Sequence, residues 1–197
     1  MSKVLYVLLT FLGSFLSIFG IRSGHEEAPY TIVGTIGHDI EIRRYGAQVA
    51  AETTATGDDF RRLFDFIAGA NARNETIAMT APVEQRGGRL APRVGGDAAE
   101  PTMRFFLPAK VAANPPAPKD GSVRIVDLPA RTVAAIRFSG ILDRVQSTRY
   151  ARILEAELAK HDRKTQGEPY LLGYDPPFTI PFLRRNEVAI DLAPDGS

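Results

Sequence analysis

Two arginines, Arg184 and Arg185, stand between the carboxylates of Asp175 and Glu187 in a short segment rich in proline and phenylalanine. Guanidinium groups beside a turn can pair with those carboxylates or grip an anionic ligand group through paired N–H bonds. The same segment carries Phe178 and Phe182 in Pro177-Phe178-Thr179-Ile180-Pro181-Phe182-Leu183. Aromatic rings in a loop can line a groove for a flat apolar ligand or meet a membrane. The motifs of covalent and phosphoryl chemistry are missing: the chain has no GxSxG, GxGxxG, P-loop or HExxH. It has no cysteine, which excludes disulfides, thiolate nucleophiles and zinc-thiolate sites. The histidines, His25, His38 and His161, have no histidine or cysteine neighbour at ligand spacing, and His161 suits the C-terminal end of a helix dipole. Asp58 and Asp59 suit a helix start, and Glu155 and Glu157 flank a helix stripe. This inventory describes a binding protein and not an enzyme.

The elements that must position these groups follow from hydrophobic period. Alternation predicts strands over 30–36, 40–45, 48–56, 77–83, 103–107, 123–128, 132–139, 170–174 and 186–192. Phe60, Leu63, Phe64 and Ile67 fall at i, i+3, i+4 and i+7, which predicts a first amphipathic helix ended by Gly69. A second is predicted over 142–161 with Val145, Tyr150, Ile153, Leu154 and Leu158 as its stripe. Pro82 places a strand end or sheet edge in 77–83, because proline cannot donate to a ladder; Met79 on its other face is expected to pack. The proline-rich run 108–121 reads as extended, and 86–101 as turns and loop.

Two blocks of the chain match at a constant offset of 83: Ile42 meets Ile125, Ala47 meets Ala130, Ala51 meets Ala134 and Gly57 meets Gly140. The order of elements matches as well, which points to an internal duplication with halves at about 30–110 and 120–192. Two β-α-β-β repeats of this kind predict an α+β fold: an antiparallel sheet curled towards a barrel, with two helices outside it. Neither half should be stable alone.

The 197 residues suffice for one ordinary domain, and 44% hydrophobic with 24% charged residues are globular values. The formal net charge is +1, and without Lys3 and Arg22 there are 22 basic residues against 23 acidic ones. That balance gives no electrostatic basis for nucleic-acid binding. Residues 4–21 form 18 uncharged positions between Lys3 and Arg22, on the border between a signal-peptide core and a spanning helix. The expected organisation is therefore a signal peptide or membrane anchor over 1–22, a linker over 23–29, one domain over 30–192 and a tail over 193–197. Charge flanking the apolar run predicts the N-terminus inside and the domain on the non-cytoplasmic, periplasmic side, anchored or secreted.

Several stretches, in this order, resemble the SOUL family, named for its haem-binding vertebrate members. They are Ile40-Glu41-Ile42-Arg43-Arg44-Tyr45-Gly46, Phe66-Ile67-Ala68-Gly69-Ala70-Asn71, Ile77-Ala78-Met79-Thr80-Ala81-Pro82-Val83, Pro115-Pro116-Ala117-Pro118, Tyr174-Asp175-Pro176-Pro177 and Arg184-Arg185-Asn186-Glu187-Val188. The resemblance implies a distorted antiparallel β-barrel with two flanking helices, built from two pseudo-symmetric repeats. It also implies a haem or other tetrapyrrole ligand. One branch of the family carries a histidine, proposed as axial ligand, where this chain has Arg44, so no axial ligand carries over. Another branch uses an apolar patch on the first helix with basic residues nearby; Phe60 and Phe64 match the patch, and Asp65 stands where a basic residue would help. The residues implied for the ring are Phe60, Phe64, Met79 and Phe178, and those implied for the propionates are Arg44, Arg61, Arg184 and Arg185. The alternative expectation is a domain of the same fold that binds another small apolar ligand or a protein partner, by analogy with the effector-binding domains of gyrase-inhibitor-like proteins.

Overall fold

The computed structural model describes residues 26–87, 100–176 and 178–194. The apolar run 4–21, His25, most of the loop expected over 86–101, Pro177 and the last three residues of the tail lie outside them. Eleven strands and three α-helices follow in chain order among the described residues: β1 (Glu26–Glu27), β2 (Tyr30–Ile36), β3 (Ile40–Tyr45), β4 (Gln48–Thr54), α1 (Asp59–Ile67), β5 (Thr80–Ala81), β6 (Val83–Arg86), β7 (Thr102–Phe106), α2 (Ala109–Ala112), β8 (Val123–Leu128), β9 (Arg131–Phe138), α3 (Arg144–Lys160), β10 (Thr165–Gly173) and β11 (Asn186–Leu192). A 3-10 turn, Pro181–Leu183, precedes β11. Among these residues no helix is long and apolar enough to cross a membrane.

Nine strands form one antiparallel sheet in the order β2-β3-β9-β11-β10-β6-β7-β4-β8, and β1 pairs in parallel with β5. The α+β class therefore stands, but the ladder is linear, with β2 and β8 at its edges, and does not close into the expected barrel. It is nonetheless strongly curled. The Arg131 guanidinium lies 5.7 Å from the Tyr45 ring on β3 and 6.0 Å from the Phe106 ring on β7. Five strand steps would separate those rings by about 24 Å in a flat sheet. The curl brings them onto one concave surface.

Alternation along each strand divides the core between the two faces. Ile40, Ile42, Ala134, Ile136, Val188 and Ile190 pack under α3 through Ala151, Leu154 and Leu158. Ala51, Met103, Phe105 and Val123 pack under α1 through Leu63, Phe66 and Ile67. Each fully buried leucine or phenylalanine contributes about 1.5–3 kcal/mol relative to exposure. Among the described residues no helix covers the other face, where Tyr45, Ala50, Phe106, Val133, Ala135, Tyr170, Leu172 and Ala189 meet across the concavity.

Several expectations are revised locally. The stretch 77–83 is not one strand: it divides into β5 and β6 at a cis Ala81–Pro82 bond. The proline-rich run is not wholly extended, because one helical turn, α2, starts after Pro108. The buried stripe of α1 is Leu63, Phe66 and Ile67, so Phe60 and Phe64 are displaced to its flank. On α3, Ser147, Ala151, Leu154 and Leu158 are buried, while Val145 points to solvent.

Candidate functional site

Helix α1 presents an aromatic surface that the core does not consume. Asp59 places an acidic group in the first turn, where it suits the helix dipole, and Gly69, at φ 121°, ends the segment in a conformation that favours glycine. Phe60 and Phe64, one turn apart, are 46% and 49% exposed. Their rings stack at 6.2 Å with 13° between planes, and Phe60 meets Phe105 edge-on at 5.3 Å. Met79 is half-buried against the same cluster as Phe105. Arg61 lies beside the rings, in an exposed pair with Asp58 at 3.2 Å. Nearly parallel rings over an apolar floor suit the face of a flat ligand; an aromatic contact of this type is worth about 0.5–1.5 kcal/mol beyond area burial.

The remaining expected site residues lie elsewhere. Arg44 is exposed on β3, whose neighbours are β2 and β9, whereas α1 packs on β4, β7 and β8. Arg184 donates from Nε to the Thr179 carbonyl at 2.7 Å. Arg185 donates to Glu187 at 2.8 Å, and its backbone N–H donates to Asp175 at 2.6 Å. Phe178 is exposed in the segment before β11. The structure thus gathers Phe60, Arg61, Phe64 and Met79 around α1, and Phe178, Arg184 and Arg185 around the turn before β11.

The concave face holds a belt of buried ion pairs, of which the sequence showed only the pairing of the Arg184–Arg185 step with Asp175 and Glu187. Glu187, fully buried, accepts from Arg43 at 2.5 and 3.0 Å, from Arg185 and from the Tyr174 hydroxyl at 3.0 Å. The Arg185 guanidinium stacks 3.7 Å from the Tyr174 ring centre. Glu84, also fully buried, accepts from Arg86 and Arg104, both at 2.7 Å, and from Arg131 at 3.0 Å. Arg86 stacks 3.8 Å from the Tyr170 ring centre and reaches Asp191 at 3.0 Å. Arg104 also pairs with Glu52, which Arg124 meets from the edge strand at 2.6 Å. Burial alone would raise both glutamate pKa values. The hydrogen bond and charge of Arg43, with the charge of Arg185, hold Glu187 below the ordinary value; Arg86, Arg131 and Arg104 do the same for Glu84. Burial pushes the Tyr174 and Tyr170 hydroxyls up, so both stay neutral donors. For the rest of the belt the sequence signal was the run of glutamate, arginine and tyrosine at alternate positions 41, 43 and 45, which reads equally well as a wet strand face.

Among the described residues no group of three histidine, cysteine, aspartate or glutamate side chains could hold a metal ion. His38 is exposed in the turn before β3, and His161 caps the C-terminus of α3.

A curled antiparallel sheet with helices on one face defines an α+β domain, and α1 gives it an exposed aromatic surface. The model of the SOUL heme-binding protein family matches residues 25–191, and the chain belongs to that family. Heme-binding protein 1 of Mus musculus is 31% identical over 129 residues, covering 64% of this chain and 66%, just under two thirds, of the mouse protein. Heme-binding protein 1 of Xenopus laevis is 28% identical over 163 residues, covering 77% of this chain and 83% of the relative. An uncharacterized conserved protein from Listeria innocua shares the fold at a TM-score of 0.54 and 9% identity, over 82% of this chain and 94% of its own.

Proposed function

We propose that this chain is a non-enzymatic haem or tetrapyrrole-binding protein, held on the outer, periplasmic side of a membrane by residues 4–21. The observation that carries the binding reading is the exposed, stacked Phe60–Phe64 pair on the first helix of a SOUL-family domain. These rings would take the macrocycle face, with Met79 at the floor and Arg61 available to a propionate. When bound, the group would supply a redox-active or photoactive tetrapyrrole. The residues fit it as a ring held by apolar contact. Neither His38 nor His161 lies on α1 or on the strands it packs against, and Arg44 occupies the position where part of the family has histidine. Binding is therefore expected without a strong axial ligand, and haemin titration tests it. Asp65 and Arg44 favour a second reading, in which the same surface takes another small apolar ligand or a protein partner instead of haem.

The domain also reads as an internal duplication. Leaving aside the edge strand β2, the order β3-β9-β11-β10-β6-β7-β4-β8 reads the same from its opposite end when β3 exchanges with β8, β4 with β9, β6 with β10 and β7 with β11. The registers agree: Ile42 faces Ala134, and at the offset of 83 Ile125 faces Ala51. Gly57 and Gly140, matched at that offset, precede α1 and α3 with φ of 103° and 114°, a conformation that favours glycine. These relationships support two repeats whose first strands are exchanged across the sheet.

A further inference from the structure

A second apolar surface lies away from α1, where the chain enters α3 beside the 3-10 turn. The Gly140 N–H donates to the Pro181 carbonyl at 2.9 Å, and Asn186 Nδ2 donates to the Gly140 carbonyl at 3.0 Å. The next residue on each strand of that contact, Ile141 and Phe182, is 57% and 72% exposed; Val145, one helical turn on, is 77% exposed, and Phe178 is 57% exposed. Single exposed apolar side chains are ordinary, but four large ones gathered on two hydrogen-bonded segments mark an interaction surface. The loop is held in shape: Thr179 N–H donates to the Pro176 carbonyl at 3.1 Å, and Leu183 N–H to the Ile180 carbonyl at 2.9 Å. Exposed Arg144 and Arg149 flank the patch on α3, while the nearby carboxylates are engaged, Asp143 by the Gln146 N–H and Asp175 by the Arg185 N–H.

The position of the chain's entry into the fold identifies the occupant. Glu27 accepts from Arg185 Nη1 at 3.3 Å, which ties β1 to the same segment that carries Phe178 and Phe182. Residue 21, where the apolar run ends, is five residues before Glu26 and can lie at most about 18 Å from it. We infer that Ile141, Val145, Phe178 and Phe182 rest on the bilayer surface that holds residues 4–21, with Arg144 and Arg149 meeting anionic phospholipid headgroups. The inference rests on the reading of that run as a retained anchor. It orients the domain on the membrane by a face other than the aromatic surface of α1, which leaves Phe60 and Phe64 open to a ligand.

The chain contains no tryptophan, so a single introduced indole is a clean depth reporter. The F182W, V145W and F60W variants of the full chain would be reconstituted into phosphatidylcholine–phosphatidylglycerol vesicles with brominated acyl chains. At least twofold quenching of F182W and V145W, with F60W unquenched, is expected. Retention of the chain by the vesicles with F182W unquenched overturns the docking while leaving the anchor in place. Release of the chain from the vesicles overturns the anchor and the docking with it. Blue-shifted F182W emission that rises with protein density and ignores the brominated lipid assigns the patch to a second copy, which also overturns the proposal.

Discussion

Arg43 on β3 and Glu187 on β11 join as a buried, two-pronged ion pair across the intervening β9, at 2.5 and 3.0 Å. Both belong to stretches that carry the family resemblance, and so do Arg185 and Tyr174, which complete the cluster. Those stretches therefore mark a structural node on the concave face. Replacing one member of a buried pair leaves its partner charged in a dry site, which costs about 3–5 kcal/mol. E187Q should lose stability of that order in urea unfolding, and the R43M/E187L double variant should lose less than E187L alone. Unfolding midpoints of E187Q close to those of the parent would refute this role.

The same clusters set the response to acid. Glu84 and Glu187 titrate below the ordinary glutamate value of 4.5 in the folded protein, so the unfolded chain binds more protons in that range. Their stabilisation is complete above that pH and is lost as pH falls through the lowered folded values. Denaturant midpoints should hold steady from pH 7 to about 5 and fall steeply below about 4. The E187Q variant should show a shallower acid slope; an equal slope would remove Glu187 from the account.

Strand pairs that join the first part of the chain to the second make each part dependent on the other. β3 pairs with β2, and β4 with β7, within the first part, but the second neighbour of each, β9 and β8, comes from the other part. Fragments 26–110 and 120–194 should each lack a cooperative thermal transition by circular dichroism. Mixing them should restore strand signal. A cooperative transition in either fragment alone would contradict that dependence.

Legibility in the sequence follows physical range. β3, β8 and β9 were readable nearly to the residue because apolar alternation and turn glycines are local signals. The Phe60–Phe64 pair was readable as part of a stripe, but its displacement to the flank depends on how α1 seats on β4, β7 and β8. Of the buried belt, only the pairing of Arg185 with Asp175 and Glu187 was readable. Arg43, Glu84 and Arg131 occupy alternate positions that a flat sheet would wet, and only the curl imposed by pairing distant strands dries them. The single turn α2 is shorter than the window in which helical period can be detected.

The Phe60 and Phe64 side chains keep about half of their area exposed, so truncating both should cost less stability than truncating fully buried core phenylalanines while removing the surface on which a macrocycle would lie. Haemin titration of the full chain and its F60A/F64A variant, followed by absorbance, tests the central claim most directly. Micromolar or weaker binding by the parent is expected, with no bis-imidazole six-coordinate spectrum and at least tenfold weaker binding by the variant, equivalent to about 1.4 kcal/mol. Equal affinity of the two proteins, or a sharp bis-imidazole spectrum, would contradict it.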